Sequence, residues 1–135
     1  LGDVYKRQVD GVAITFGLGL VSDTLLRILF NFAIILTNRG SIITIEEPET
    51  HAFPFYVKLL AESIAMDDKN QYFISTHNPY LAISMIEKSP ASDINVIIVE
   101  YRDYQTKVNI VAPDRLSEIL DLGGDIFFNL EKLTR

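Results

Sequence analysis

Three carboxylates, Glu46, Glu47 and Glu49, stand within four positions where the β-branched run SIITI gives way to EEPETHAFP. Like charges at that spacing repel one another, so the cluster either sits in water or awaits something positive. An apolar strand ending in two acids suits the handling of Mg²⁺ and a water molecule in nucleotide hydrolysis. The first acid, Glu46, is placed to hold the metal, directly or through water, because hard cations prefer oxygen ligands. The second, Glu47, can orient and deprotonate an attacking water as general base, a role typically worth about 10²- to 10⁴-fold in rate. Successive strand residues point to opposite faces. Both acids therefore serve one site only where the strand is ending, and Pro48 helps to enforce that ending. The ordinary alternative is a solvated acidic loop.

A second chemical position is His77, in FISTHNPYL. A histidine at a strand tip can contact a γ-phosphate and the hydrolytic water, and so sense whether a nucleotide is intact. Its alternative is a ring packed between a strand and a helix cap. His51, in ETHAFP, reads as a residue that orders the loop or lines a subunit contact rather than one that ionises in a reaction. Ser22 and Asp23 open an apolar helix, whose free N–H groups and positive dipole end suit a phosphate; the alternative there is an ordinary N-cap.

The elements that must position these groups follow from hydrophobic spacing. Residues 24–38 are almost entirely apolar, which predicts a helix buried on nearly every face, capped by Ser22 and ended by Gly40 in a left-handed turn. Residues 41–45 predict a strand covered on both faces. Helical spacing returns over residues 54–66, with Phe55, Leu59, Ala61, Ile64 and Ala65 as candidate core positions. Residues 71–75 predict a second strand. Asn78 then caps a helix with Pro79 at its first position, running to about residue 87. After a loop over residues 89–93, strands over 95–101 and 106–112 form an antiparallel hairpin. A helix over 113–122 stops at Gly123 and Gly124, and a short one follows over 127–133. Strands separated by helices imply right-handed crossovers and a mainly parallel sheet flanked by helices. In such sheets ligands bind at the carboxyl ends of the strands, where both Glu46-Glu47 and Thr76-His77 fall.

Composition sets the outer limits. With 135 residues, 48% of them hydrophobic, the chain is long enough for a sizeable core and too apolar for a disordered tail. A net charge of −6 argues against nonspecific nucleic-acid binding through this segment, so any such role falls to parts of the protein not present. The absence of cysteine excludes disulfides and thiolate metal sites. The longest apolar block, residues 25–36, is too short for a membrane span of about 20 residues. A cytoplasmic location is the expectation. LGDVYKRQ matches nothing that follows, and residues 1–10 read as a non-native or disordered leader before an ATPase-like unit over 11–135.

The ordered set VSDTLLR, IITIEEPETHAFP and YFISTHNPY resembles the carboxyl-terminal half of an ABC-type ATPase head of the P-loop NTPase class. The branch it is most similar to is the soluble AAA-type core family related to the SMC, RecF-like and OLD ATPases, and the similarity covers residues 21–79. The resemblance implies ATP and Mg²⁺ as cofactors, with Glu46 at the magnesium position of the Walker B strand and Glu47 as catalytic glutamate. It makes residues 48–51 the loop that reaches across a dimer and His77 the switch histidine. It places Ser22 and Asp23 in the signature motif, which caps the γ-phosphate held by the opposite subunit of a homodimer.

Three departures stand out. Glu46 replaces the commoner aspartate, Thr24 stands where the signature motif usually has glycine, and no G-x-x-x-x-G-K-[ST] loop occurs in the chain. Without that loop nothing cradles the β- and γ-phosphates, so the chain reads as a fragment inactive alone, whose missing amino-terminal half supplies it. Two other functions remain open from the residues. One is a non-catalytic interaction or regulatory module that retains the fold; the other is a metal-dependent nuclease using the acid cluster.

Overall fold

The structure, a computed structural model, describes residues 4–9 and 12–134. Strands β1 (Val4–Val9) and β2 (Val12–Gly17) form an antiparallel pair that the sequence reading did not anticipate. Helix α1 (Asp23–Thr37) begins at Ser22, whose hydroxyl accepts from the Leu25 amide at 3.3 Å. It ends at Asn38, whose backbone and side-chain N–H groups both return to the Ile34 carbonyl, at 3.2 and 2.8 Å. Gly40 does adopt a left-handed φ of 63°, but two residues later, where it donates to the Lys69 carbonyl and turns the chain into the next strand.

Strand β3 (Ile42–Glu46) and strand β4 (Gln71–Ser75) pair in parallel, with Ile45 opposite Ile74 and Glu46 opposite Ser75. Helix α2 (Pro54–Ala65) makes the crossover between them, and helix α3 (Pro79–Lys88) follows β4. Strands β5 (Val96–Arg102) and β6 (Gln105–Val111) form an antiparallel hairpin. Its turn, Asp103-Tyr104, has φ of 55° and 60°, the two positive values of a type I′ turn whose twist suits flanking strands. A 3-10 turn leads into α4 (Leu116–Leu122), which Gly123 stops, and a 3-10 segment over Gly123–Phe128 leads to α5 (Leu130–Leu133). Among the described residues the sheets are three separate pairs. The expected mainly parallel sheet is thus reduced to the single β3–β4 pair, because β5 joins only β6.

Two apolar centres flank α3. On one side Val57, Leu60, Ala61 and Ile64 of α2 meet Ile35, Ile74, Leu81 and Met85. On the other, Ile86 packs with Ile98, Val111, Leu116, Ile119 and Leu133 around the hairpin. Phe55 and Leu59 were expected in the core and are 67% and 39% exposed. The buried stripe of α2 has the i, i+3, i+4, i+7 spacing of Val57, Leu60, Ala61 and Ile64. Apolar residues around most of the helix had obscured its phase.

The burial expected of α1 and β3 is only partly met. On α1 only Asn31 and Ile35 are buried, and Phe30 and Leu36 are exposed. On β3 one face is covered, through Ile43, while Ile42 lies bare beside an exposed Phe73 of β4. The described residues supply one layer of helices against a two-stranded sheet, so the other face has no cover. None of the described helices is long and apolar enough to cross a membrane.

At the amino-terminal end of this strand pair a polar knot fixes the turns. Asn70 donates to the Asn38 carbonyl and to Asp67, and its side-chain oxygen accepts from the Ser41 amide. Tyr72 also donates to Asp67. Burial, and then this bond to the carboxylate, push the Tyr72 hydroxyl up to about 12. Burial would raise Asp67, but the bonds from Tyr72, Asn70 and the Lys69 amide outweigh it and hold the carboxyl below its ordinary value.

Candidate functional site

At the opposite, carboxyl end of the pair, β3 stops on Glu46 and the backbone turns sharply. Glu47 takes a left-handed φ of 43°, uncommon for a residue with a side chain, while its amide still donates to the Ser75 carbonyl at 2.9 Å. The ladder therefore runs one bond past the last strand residue, and the alternation of faces breaks at the second acid. Two further bonds close the loop: Thr50 N–H to the Glu47 carbonyl and Ala52 N–H to the Glu49 carbonyl. Strand end and positive φ together relax the constraint that would keep adjacent strand residues on opposite faces.

His77, just past β4, meets this loop. Its Nδ1 lies 2.9 Å from Glu47 Oε1, and the Thr50 hydroxyl donates to Glu47 Oε2 at 3.3 Å. Both partners keep access to solvent, with side chains 72% and 46% exposed for His77 and Glu47. Glu46 is exposed beside Ser75 and borders a shallow trough with Thr44 and Phe73 on the bare face of the sheet. Glu49 differs from both: it is 5% exposed, one oxygen accepts from the Thr76 hydroxyl, and the other has no partner. Thr76 in turn accepts from the Asn78 amide at 2.9 Å.

The geometry thus brings Glu47 and His77 into contact, with Glu46 adjacent in the chain. Ser22 caps α1, and no hydrogen bond or ion pair joins Ser22 or Asp23 to Glu46, Glu47 or His77 among the described residues. His51 has a left-handed φ of 61° and an exposed side chain, and its carbonyl accepts from the Thr24 hydroxyl at 3.0 Å.

The sequence reading assigned no role to two residues of this assembly. Asn31 is buried within the apolar helix and donates to the Pro48 carbonyl at 3.2 Å, anchoring the acid loop to α1. Thr76 links Glu49 to the cap of α3. The signal for Asn31 was in view, because it is the uncharged polar interruption of the block over residues 25–36.

No three or more His, Cys, Asp or Glu side chains converge as a metal cage among the described residues. A single exposed carboxylate such as Glu46 instead suits a cation that keeps most of its waters and shares substrate phosphates, as Mg²⁺ does. The donors present fit Mg²⁺ in that mode and do not fit a fully protein-ligated Zn²⁺ site.

Residues 16–82 match the family model described as AAA ATPase domain. The matched stretch is just under half of the chain and holds α1, β3, α2, β4, the acid loop and His77. It supports an ATPase of the AAA type, and with it an ATP-binding, ATPase-type function. Comparison with curated proteins and with solved structures gives no match.

Proposed function

We propose that this chain is the catalytic carboxyl-terminal part of an ABC-type ATPase head that hydrolyses ATP with Mg²⁺. Glu47 is the general base, Glu46 the metal ligand and His77 the sensor of the γ-phosphate. The observation that carries the reading is the 2.9 Å pairing of His77 Nδ1 with Glu47 at the carboxyl ends of two parallel strands. Those strand ends are where open α/β sheets bind ligands.

A carboxylate has about four lone-pair sites. The bonds from His77 and Thr50 therefore leave Glu47 room to accept a water and take its proton. Held at Nδ1, the His77 ring is oriented, and its Nε2 can donate to a phosphate oxygen when the ring is protonated. Mg²⁺ bound beside Glu46 would supply neutralisation of phosphate charge.

The open edges of the β3–β4 pair support a larger sheet completed by further strands, with the phosphate-cradling loop carried there and another layer covering the bare face. Ser22 and Asp23 then serve the nucleotide of a second copy, in a homodimer that closes around ATP. Any action on nucleic acid belongs to parts outside this acidic chain. One observation favours a second reading, a module that binds nucleotide without hydrolysing it. The Thr24 hydroxyl is engaged by the chain's own loop at His51, and a Cβ stands where close backbone approach to phosphate would be needed.

The test is ATP turnover with Mg²⁺ by the full-length protein beside its Glu47→Gln variant, with nucleotide binding measured in both. Turnover lost in the variant while binding persists supports the assignment. Equal turnover in the two removes Glu47 as the base, and binding without turnover in either favours the non-hydrolysing module.

A further inference from the structure

We propose that Glu49 is a positioning residue for this site, acting through the Thr76 hydroxyl to set the backbone that presents His77 to Glu47. The inference rests on reading Glu47 and His77 as the reacting pair. It begins from an anomaly. Glu49 is 5% exposed, no cation pairs with it among the described residues, and one of its oxygens has no partner. Burying a carboxylate is unfavourable unless it is paired and hydrogen-bonded, and a loop that needs only a tie can use a neutral group.

The direction of the bonds shows what a carboxylate adds. Thr76 donates its single hydroxyl proton to a Glu49 oxygen. The lone pairs of that hydroxyl are then free for the Asn78 N–H, which reaches them at 2.9 Å. Asn78 in turn caps α3, accepting from the amides of Tyr80 and Leu81 at 2.9 and 3.2 Å. His77 therefore sits between two residues, Thr76 and Asn78, that are fixed by one chain of bonds anchored in Glu49. The base Glu47 belongs to the same turn as Glu49, through the Thr50 and Ala52 amides. One loop thus carries the base and also holds the segment that carries its partner, so the two move together.

The test uses the full-length protein with ¹³C-labelled histidine, the His77 ring signal being assigned by its loss in His77→Gln. Glu49→Ala and Thr76→Val should shift that signal in the same direction, and Thr76→Ser, which keeps the hydroxyl, should restore it. Turnover should fall about 10- to 100-fold in the first two variants, as small misplacements do, with KM for ATP within about threefold. If Glu49→Ala does not fold by circular dichroism, the Thr76→Val and Thr76→Ser pair decides the matter. A His77 signal unmoved in Thr76→Val, or not restored in Thr76→Ser, overturns the proposal. Because the ring signal is read without turnover, an inactive wild-type protein with the expected shifts overturns only the ATPase reading.

Discussion

Replacing Asn31 by aspartate would test whether α1 holds the acid loop, because the change preserves shape and puts an ionisable carboxyl in place of the donor. In the native chain the Asn31 amide is 6% exposed and donates to the carbonyl of a buried Pro48 at 3.2 Å. A carboxylate there faces a carbonyl it cannot bond, in a loop that already carries Glu46, Glu47 and Glu49. Burial and like charge both favour its protonated form, and buried carboxyls rise by up to about 3–5 units. Arg27, one turn earlier and exposed, recovers part of this in the weaker i, i+4 order, so a rise of about 2 units is the working figure.

The sign follows from proton linkage. A carboxyl raised in the fold is harmless below its unfolded value and costs stability as pH rises toward the folded value. Below about pH 4 the protonated carboxyl can donate to Pro48, and the variant should lie within about 1 kcal/mol of wild type. At pH 7 the two-unit shift corresponds to about 2.7 kcal/mol of lost stability. Urea unfolding followed by circular dichroism at pH 4 and pH 7 reads both values. A gap that is the same at the two pH values, or below about 1 kcal/mol at pH 7, would refute the anchoring role of Asn31.

Three further outcomes follow from other parts of the fold. The Tyr72–Asp67 pair should give stability a plateau. Asp67 is held low, so its contribution fades as pH falls below the ordinary carboxyl range near 4. Tyr72 is raised to about 12, so its share is present below pH 10 and fades between 10 and 12. Thermal melts across that range should show the two flanks, and Tyr72→Phe should weaken both. Leu81→Ala, at a fully buried side chain beside Val57 and Ala61, should cost about 2–5 kcal/mol in urea unfolding. Gly123→Ala should cost about 1–3 kcal/mol by the same measurement. The backbone there, at φ 55° and ψ −134°, strains any side chain although nothing crowds the Cβ position.

Local chemistry made most of the elements legible, and long-range pairing did not. Asn78 followed by Pro79 marks a helix start through a side-chain acceptor and a preset φ, and the helix begins there. Gln71–Ser75 is a strand over the very residues expected, because a β-branched and aromatic run bounded by polar residues has few alternatives. Which strands pair depends on contacts that no local pattern encodes, so β5 was expected in the sheet and, among the described residues, pairs only with β6. The first hairpin was missed although the Asp-Gly dipeptide that separates its strands is a strong turn signal.

The site divides along the same line. The carboxylates and His77 announce themselves by charge and by their place at strand ends, whereas the residues that hold them are ordinary polar side chains inside an apolar helix. Thr24 and Asn31 are seven positions apart, two turns along one face of α1. Thr24 bonds the His51 carbonyl and Asn31 the Pro48 carbonyl, so one helix face grips the acid loop at both of its ends. Compared with a family motif, Thr24 looks like a loss, a side chain where glycine would let phosphate approach. Considered with Asn31, it is half of a two-point clamp, and glycine at that position would release one jaw. If the proposed dimer forms, conformational rigidity of the loop and close approach by a partner's nucleotide compete at this one side chain. In this chain the hydroxyl of Thr24 is committed to the loop.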